Sequence, residues 1–285
     1  MDHPVNGAAD DMPPKAASDD YLGRFREIVS DPLNQLIERA PSAGVVEDGL
    51  VALHNGIRVP LEGPESYYGT FSQILVINRG VHEPLEEYVF QELLKALPAA
   101  PVMLELGAYW GHYSMWLKLA RPEASVHLVE PDARRLAAGR NNFALNGVEG
   151  EFIHDFVGRE RFSVDAFLAA RGLGRLDVLH ADIQGYELEM LEGAQRSLAS
   201  AAIDHVFIST HSQKLHRRGV QALRVAGYRV EVSSDFETDT TSSDGLIVAS
   251  GPTVPPLFED FSPLGREDIC QASPAAILDY LQARG

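Results

Sequence analysis

Residues 102–131, VMLELGAYWGHYSMWLKLARPEASVHLVEP, decide the fold of this chain. They read as a buried strand, a glycine turn, a helix and a second strand ending on an acidic residue. That unit builds a pocket for an adenosine-containing cofactor at the carboxyl edge of a parallel sheet. The turn holds Gly107, Ala108 and Gly111, with Glu105 just before it. Glycine serves where backbone bends tightly toward a ligand that a Cβ would push away. Glu130 follows Glu105 by 25 residues and is itself followed by Pro131. The interval is close to the one at which such a unit sets a carboxylate on ribose hydroxyls. The turn is not G-x-G-x-x-G, and its helix opens on Trp110-Gly111-His112-Tyr113. These bulky residues leave little room for the pyrophosphate that a dinucleotide lays on a helix N-terminus. S-adenosylmethionine has no phosphate and carries an amino group that Glu105 can hold. The turn therefore favours that cofactor over NAD.

Composition sets the outer limits. The chain of 285 residues, 45% hydrophobic, can bury the core of one large domain with extensions. Its net charge of −17 argues against a phosphate-neutralising nucleic-acid surface. No apolar run approaches the roughly 20 residues of a membrane span. The N-terminal MDHPVNGAADDMPPKAASDD lacks the basic region and apolar stretch of a secretory signal. A single cysteine, Cys270, excludes an internal disulfide framework and fits the reducing cytoplasm, which is the expected location. Neither nucleic acid nor membrane is an expected partner.

Four regions follow along the chain. Residues 1–20 are expected to form a disordered tail. Residues 21–97 form an N-terminal helical and hairpin extension covering the pocket. Apolar positions at helical spacing mark its first part, residues 44–82 read as strand-like with turns, and Asn55-Gly56 signals a hairpin. A helix over 83–97 closes it, with Pro84 near its first turn. Residues 98–251 form the core, with strands at 102–107, 125–130, 150–157, 177–182 and 205–210. They alternate with helices at 112–120, 132–145, 163–171, 186–200 and 213–226. Such alternation implies an α/β fold with a parallel sheet and helices on both faces. Strands at 228–233 and 245–250 are joined by the polar SDFETDTTSSD, too irregular for a helical crossover, so they pair antiparallel. The result is a Rossmann-like, seven-stranded, mostly parallel sheet ending in an antiparallel hairpin. Residues 252–285 form a C-terminal segment with a final helix around 273–283. The N-terminal helices could also serve a homodimer contact.

Several motifs in order carry a resemblance: Gly80-Val81-His82-Glu83-Pro84, Glu105-Leu106-Gly107-Ala108 with Gly111-His112-Tyr113-Ser114, Val129-Glu130-Pro131 with Asn142 and Asn146, and Val157-Gly158. The most specific is Asp182-Ile183-Gln184-Gly185-Tyr186-Glu187, followed by Leu191, Gly193 and Ala194. Over residues 78–250 the chain resembles the FkbM-type S-adenosylmethionine-dependent methyltransferases, which have the class I methyltransferase fold. The resemblance implies O-methylation of a hydroxyl on a sugar, glycan or secondary-metabolite acceptor. Three places depart from the pattern: Tyr109, Ala181 with His180 before it, and Thr210 before His211. These departures keep a non-catalytic cofactor-binding protein as an alternative, with a NAD-dependent oxidoreductase behind it.

The residues expected to act can now be named. Glu105, Gly107, Ala108, Gly111, Glu130, Pro131, Asp155 and Asp182 are the cofactor-binding candidates. Asp155 ends the third strand, where it could meet the adenine amine. Asp182 and His211 end strands at the place where the transferred methyl group should sit, and are the catalytic candidates. A carboxylate can accept a hydroxyl proton there, and a histidine titrates near neutral pH. His154 with Asp155, or Asp182 with His211, could hold a divalent metal such as magnesium. No spacing approaches that of H-E-x-x-H, so no metal is expected. Tyr67, Tyr68 and Phe71 are candidates for a lid over the acceptor.

Overall fold

In a computed structural model the chain is described over residues 21–63, 65–67, 69–158 and 161–284. The tail expected over 1–20 and the lid candidate Tyr68 lie outside the described residues.

The central sheet contains β4 (Val102–Leu106), β5 (Ser125–Val129), β6 (Glu151–Ile153), β7 (Leu176–Ala181), β8 (Ile203–Thr210), β9 (Arg229–Ser234) and β10 (Gly245–Ser250). Their order is β6-β5-β4-β7-β8-β10-β9, and only β10 runs antiparallel to its neighbours. Every residue of β7, β8 and β10 is buried, as expected of strands covered on both faces. The chain runs outward from β4 in one direction through β5 and β6, then resumes on its other side at β7. The β4/β7 boundary is therefore the switch point, outside whose carboxyl ends an α/β sheet binds its ligand.

Alternation along the strands sends side chains into two cores. Met103, Val178, Phe207 and Val248 pack on one face with Phe90, Trp116 and residues of the extension. Leu104, Leu106, Leu179, Ile208 and Ile247 pack on the other with Leu168, Leu191 and Leu223. The helices between strands are α4 (His112–Ala120), α5 (Ala133–Leu145), α6 (Val164–Arg171), α7 (Glu187–Gly193), α8 (Gln195–Ala199) and α9 (Gln213–Val225). Their starts follow local chemistry. Asp132 accepts from the amides of Arg134 and Arg135, Ser163 from that of Ala166, and Ser212 from that of Leu215.

The extension comprises α1 (Tyr21–Ser30), the strands β1 (Val46–Glu47), β2 (Leu50–Ala52) and β3 (Arg58–Pro60), α2 (Ile74–Ile77) and α3 (Pro84–Ala96). β2 and β3 pair antiparallel around Asn55-Gly56. The hairpin is fastened to the core by Asn146, which accepts from the Arg58 amide and donates to its carbonyl, each at 2.8 Å. After the core come α10 (Arg266–Gln271) and α11 (Pro274–Gln282).

Four sequence expectations change. Residues 69–77 are helical, not strand-like: a 3-10 turn over Gly69–Gln73 leads into α2. The apolar run Ile74-Leu75-Val76-Ile77 buries its first two side chains and exposes its last two, a helical rather than alternating pattern. The strand expected over 150–157 is only Glu151–Ile153, as it pairs on one side only. The helix expected over 186–200 breaks at Ala194 where Gly193 packs against Ser163. Helix α10 was not foreseen. Among the described residues, no helix is long and apolar enough to cross a membrane.

Candidate active site

The cofactor loop is built by close approach of two backbones. Gly107 has φ +73°, and a Cβ there would stand 1.7 Å from the Asp182 carbonyl oxygen. The Asp182 amide in turn donates to the Leu106 carbonyl at 3.0 Å. The amides of Gly107 and Ala108 both donate to Val129. Gly111, with φ +77°, closes the turn onto Ala108 and presents its Cβ position to Phe143 and Leu128 in the core. Glu105 is buried beneath the loop, and its Oε2 accepts from the Ser114 amide at 3.2 Å in the first turn of α4.

Glu130 lies just past β5. One carboxylate oxygen accepts from the Tyr109 amide at 3.0 Å and the other from the Asp132 amide at 2.9 Å. Burial raises its pKa against these two hydrogen bonds. Tyr109 adopts φ +44°, and its hydroxyl donates to the Ser66 carbonyl, tying the loop to the extension. Pro131 is exposed, and its carbonyl lies 2.9 Å from His154 Nε2. Asp155 Oδ1 accepts the amide of Phe156 at 2.7 Å, a turn contact. Phe156 meets Tyr186 edge-on at 4.6 Å, giving an aromatic wall between the ends of β6 and β7. Tyr67 is buried with its ring 4.9 Å from Trp110, so it packs against the loop.

At the switch point the two catalytic candidates meet. His211 Nε2 is 3.2 Å from Asp182 Oδ1, while its Nδ1 is 2.5 Å from Glu187 Oε1. Asp244, just before β10, comes within 3.5 Å of the same Nε2. Gln184 at φ +50° donates to Asp182 Oδ1, and the Gly185 amide donates to Glu187 Oε1. Burial opposes a charge on His211. The hydrogen bonds to Asp182 and Glu187, with Asp244 nearby, overcome it and lift the pKa to about 11. Burial also acts against the Asp182 carboxylate, yet His211 holds its pKa below the ordinary value. Burial first, and then the charges of Asp182, Glu86 and Glu187, push Asp244 up to about 7 against the pull of His211. Glu83 accepts from the Tyr113 hydroxyl at 3.0 Å. Its carboxyl is raised well above the usual range by burial and by the carboxylates of Glu86, Asp182 and Asp244.

Asp244 is the site residue that sequence reading missed, because it sits in a polar stretch that reads as a turn. Its signal was position: it ends that stretch just before a buried strand expected to pair with its neighbour. Of the two metal pairings considered, His154 is exposed and occupied by Pro131, whereas Asp182, His211 and Asp244 each offer a ligand atom within 4.8 Å of the others. A carboxylate, imidazole and carboxylate set of that kind could hold a divalent cation.

The chemistry of the crevice also tests the cofactor. Its edge carries the carboxyl groups of Asp182 and Asp244, with Glu83 close by. A sulfonium and an ammonium suit that edge, and a pyrophosphate does not. Residues 157–230 match the family model described as the methyltransferase FkbM domain. Over that segment the chain is similar to the FkbM methyltransferases. It is a methyltransferase dependent on S-adenosylmethionine. No curated protein matches the chain. Similar solved structures include the precorrin-6y C5,15-methyltransferase of Geobacter metallireducens, at 16% identity and TM-score 0.42, covering 57% of this chain and 85% of that one. Another is the M. capricolum TrmK bound to S-adenosylhomocysteine, at 13% identity and TM-score 0.41, covering 68% and 81%. An rRNA methylase from Streptococcus thermophilus is 13% identical with TM-score 0.44, covering 58% and 95%. Likenesses this distant say nothing about the acceptor of this chain.

Proposed function

We propose that this enzyme transfers a methyl group to a hydroxyl oxygen of a small or medium-sized acceptor, of the sugar, glycan or secondary-metabolite kind. The observation that carries the proposal is the convergence of Asp182, His211 and Asp244 at the switch point. S-adenosylmethionine, when bound, supplies a methyl group already activated by its sulfonium. The chain then has to align an oxygen and dispose of its proton. Asp182 accepts the hydrogen bond of the acceptor hydroxyl and orients a lone pair toward the methyl group. Asp244, pushed up to about 7, is a carboxyl that can take the proton near neutral pH.

His211 takes a different role from the one the sequence suggested. Its two ring nitrogens face carboxylates and it stays charged far above neutral pH, so it has no lone pair with which to act as a base. It acts instead as a positioning cation that keeps Asp182 ionised. Around this centre, Glu130 binds ribose, Gly107 and Ala108 admit the cofactor, Glu105 steadies the helix beside it, and Phe156 with Tyr186 borders the base. The extension over residues 21–97 covers the acceptor side. The charge of −17 supports a small molecule over a nucleic acid.

Calorimetric titration with S-adenosylmethionine, S-adenosylhomocysteine and NAD, followed by a screen of hydroxylated acceptors for S-adenosylhomocysteine release, tests the reading. Tight adenosyl binding with release on a hydroxyl acceptor supports it. Methylation confined to nitrogen, carbon or RNA acceptors would refute it.

A further inference from the structure

A second cluster, separate from Asp182, His211 and Asp244, lies under the extension. His54 comes from the loop between β2 and β3, Glu87 from the first turns of α3, and His112 from the first residue of α4. All three are buried, and each offers a ligand atom within 4.8 Å of the others. The Glu87 carboxylate is divided in its duties. Oε1 accepts the amides of His82 and Glu83 and lies 2.7 Å from His82 Nδ1. Oε2 lies 3.0 Å from His54 Nε2, yet the two are not aligned as a hydrogen bond. His112 supplies the independent observation. It is 2% exposed, and among the described residues neither of its ring nitrogens has a hydrogen-bond partner. A buried imidazole with no partner is a costly arrangement that a fold keeps for a reason.

We propose that His54, Glu87 and His112 bind a divalent transition-metal ion, zinc by the chemistry of the ligands. Two imidazoles and a carboxylate are a common zinc set, and three protein ligands leave a fourth tetrahedral position for water. Bonds of about 2.1 Å would set the ligand atoms roughly 3.4 Å from one another, within the range of the present spacings, which run from 3.0 Å between His54 Nε2 and Glu87 Oε2 to no more than 4.8 Å. The supporting contacts are in place. The Glu38 carbonyl lies 3.4 Å from His54 Nδ1, which leaves Nε2 toward Glu87, and His82 holds the far carboxylate oxygen. The Trp116 ring lies against His54 at 4.5 Å and shields the cluster. On its outer side His54 borders a surface cavity of about 450 Å³ together with Asn55, Gln91 and Trp116. The ion would join the extension, α3 and the helix that follows the cofactor loop, making it a clamp between elements far apart in sequence. This assignment does not depend on the acceptor proposed above.

The test uses the full chain, stripped with a chelator and titrated with zinc sulfate by calorimetry, with cobalt(II) as a spectroscopic probe. One zinc per chain, a raised melting temperature and a tetrahedral cobalt spectrum are expected. His112→Ala and His54→Ala should each weaken zinc binding by roughly 100-fold, while His211→Ala keeps it. No zinc uptake by the unaltered protein overturns the proposal, whether or not the variants fold. Binding that survives His112→Ala but disappears in His211→Ala also overturns it, by placing the ion in the crevice.

Discussion

The carbonyl oxygen of Asp182 occupies the space where residue 107 would carry a Cβ, 1.7 Å from that position. The Gly107 turn and the end of β7 are thus in direct backbone contact. Gly107→Ala should lower stability by about 2 kcal/mol or more and cut S-adenosylmethionine affinity at least about tenfold. Thermal melting and calorimetry read both effects. Wild-type values for each would show that the loop has another way to close.

Asp182→Asn keeps the size of the side chain and its contact with Gln184 while removing the charge. Turnover is expected to fall by roughly 10²–10⁴, with cofactor affinity nearly unchanged. Single-turnover measurement of S-adenosylhomocysteine formation is the check, and a variant as fast as wild type would remove Asp182 from the chemistry.

Stability should decline with rising pH because of His211. Its folded pKa, about 11, lies above the ordinary 6.5, so its contribution is complete below pH 6.5 and is lost as pH rises toward 11. Asp244 works in the same direction. Its carboxyl, raised from 3.8 to about 7, favours the folded state at low pH, and that contribution is gone above about pH 7. Melting temperature recorded across this window should slope downward, and His211→Gln should flatten the upper part. An unchanged slope in that variant would place the titration elsewhere.

Glu130→Gln retains an acceptor oxygen for one of the two amides, that of Tyr109 or that of Asp132, and loses the charge that suits ribose hydroxyls. Cofactor affinity should drop about tenfold while the circular dichroism spectrum stays unaltered. Equal affinity would contradict ribose binding by this carboxylate.

Asn146→Ala removes both hydrogen bonds to Arg58 and frees the hairpin. A loss of about 1–3 kcal/mol is expected in urea unfolding, together with faster proteolysis in the extension. Protease resistance equal to that of wild type would mean that the apolar contacts of β2 and β3 suffice.

Much of the sheet was legible because each strand and helix carries its own periodicity. Val102–Leu106, the capping Asp132 and Ser212, and the turn at Asn55-Gly56 speak through near neighbours alone. Asp182 and His211 were legible as strand ends, and their meeting follows from β7 and β8 being adjacent. Asp244 was not, since its importance comes from the antiparallel return of β10. The charge state of His211 was hidden for the same reason: three carboxylates from separate elements create it. The one-turn helix Ile74–Ile77 is too short to show a period. His54, Glu87 and His112 share no spacing at all, and only packing of the extension brings them together.

The pairing of Gly245 with Thr210 in β10 and β8 has a wider consequence. It sets Asp244 and His211 side by side at the end of a ladder of main-chain hydrogen bonds, so their spacing is inherited from strand pairing. The extension, proposed above to cover the acceptor side, meets that ladder through packed side chains such as Phe90 against Phe207. Such a protein can change what it recognises by exchanging its cover while its chemistry stays in register. Diversification of acceptors within this architecture is therefore expected to fall in the extension, leaving the paired strands as a common chassis.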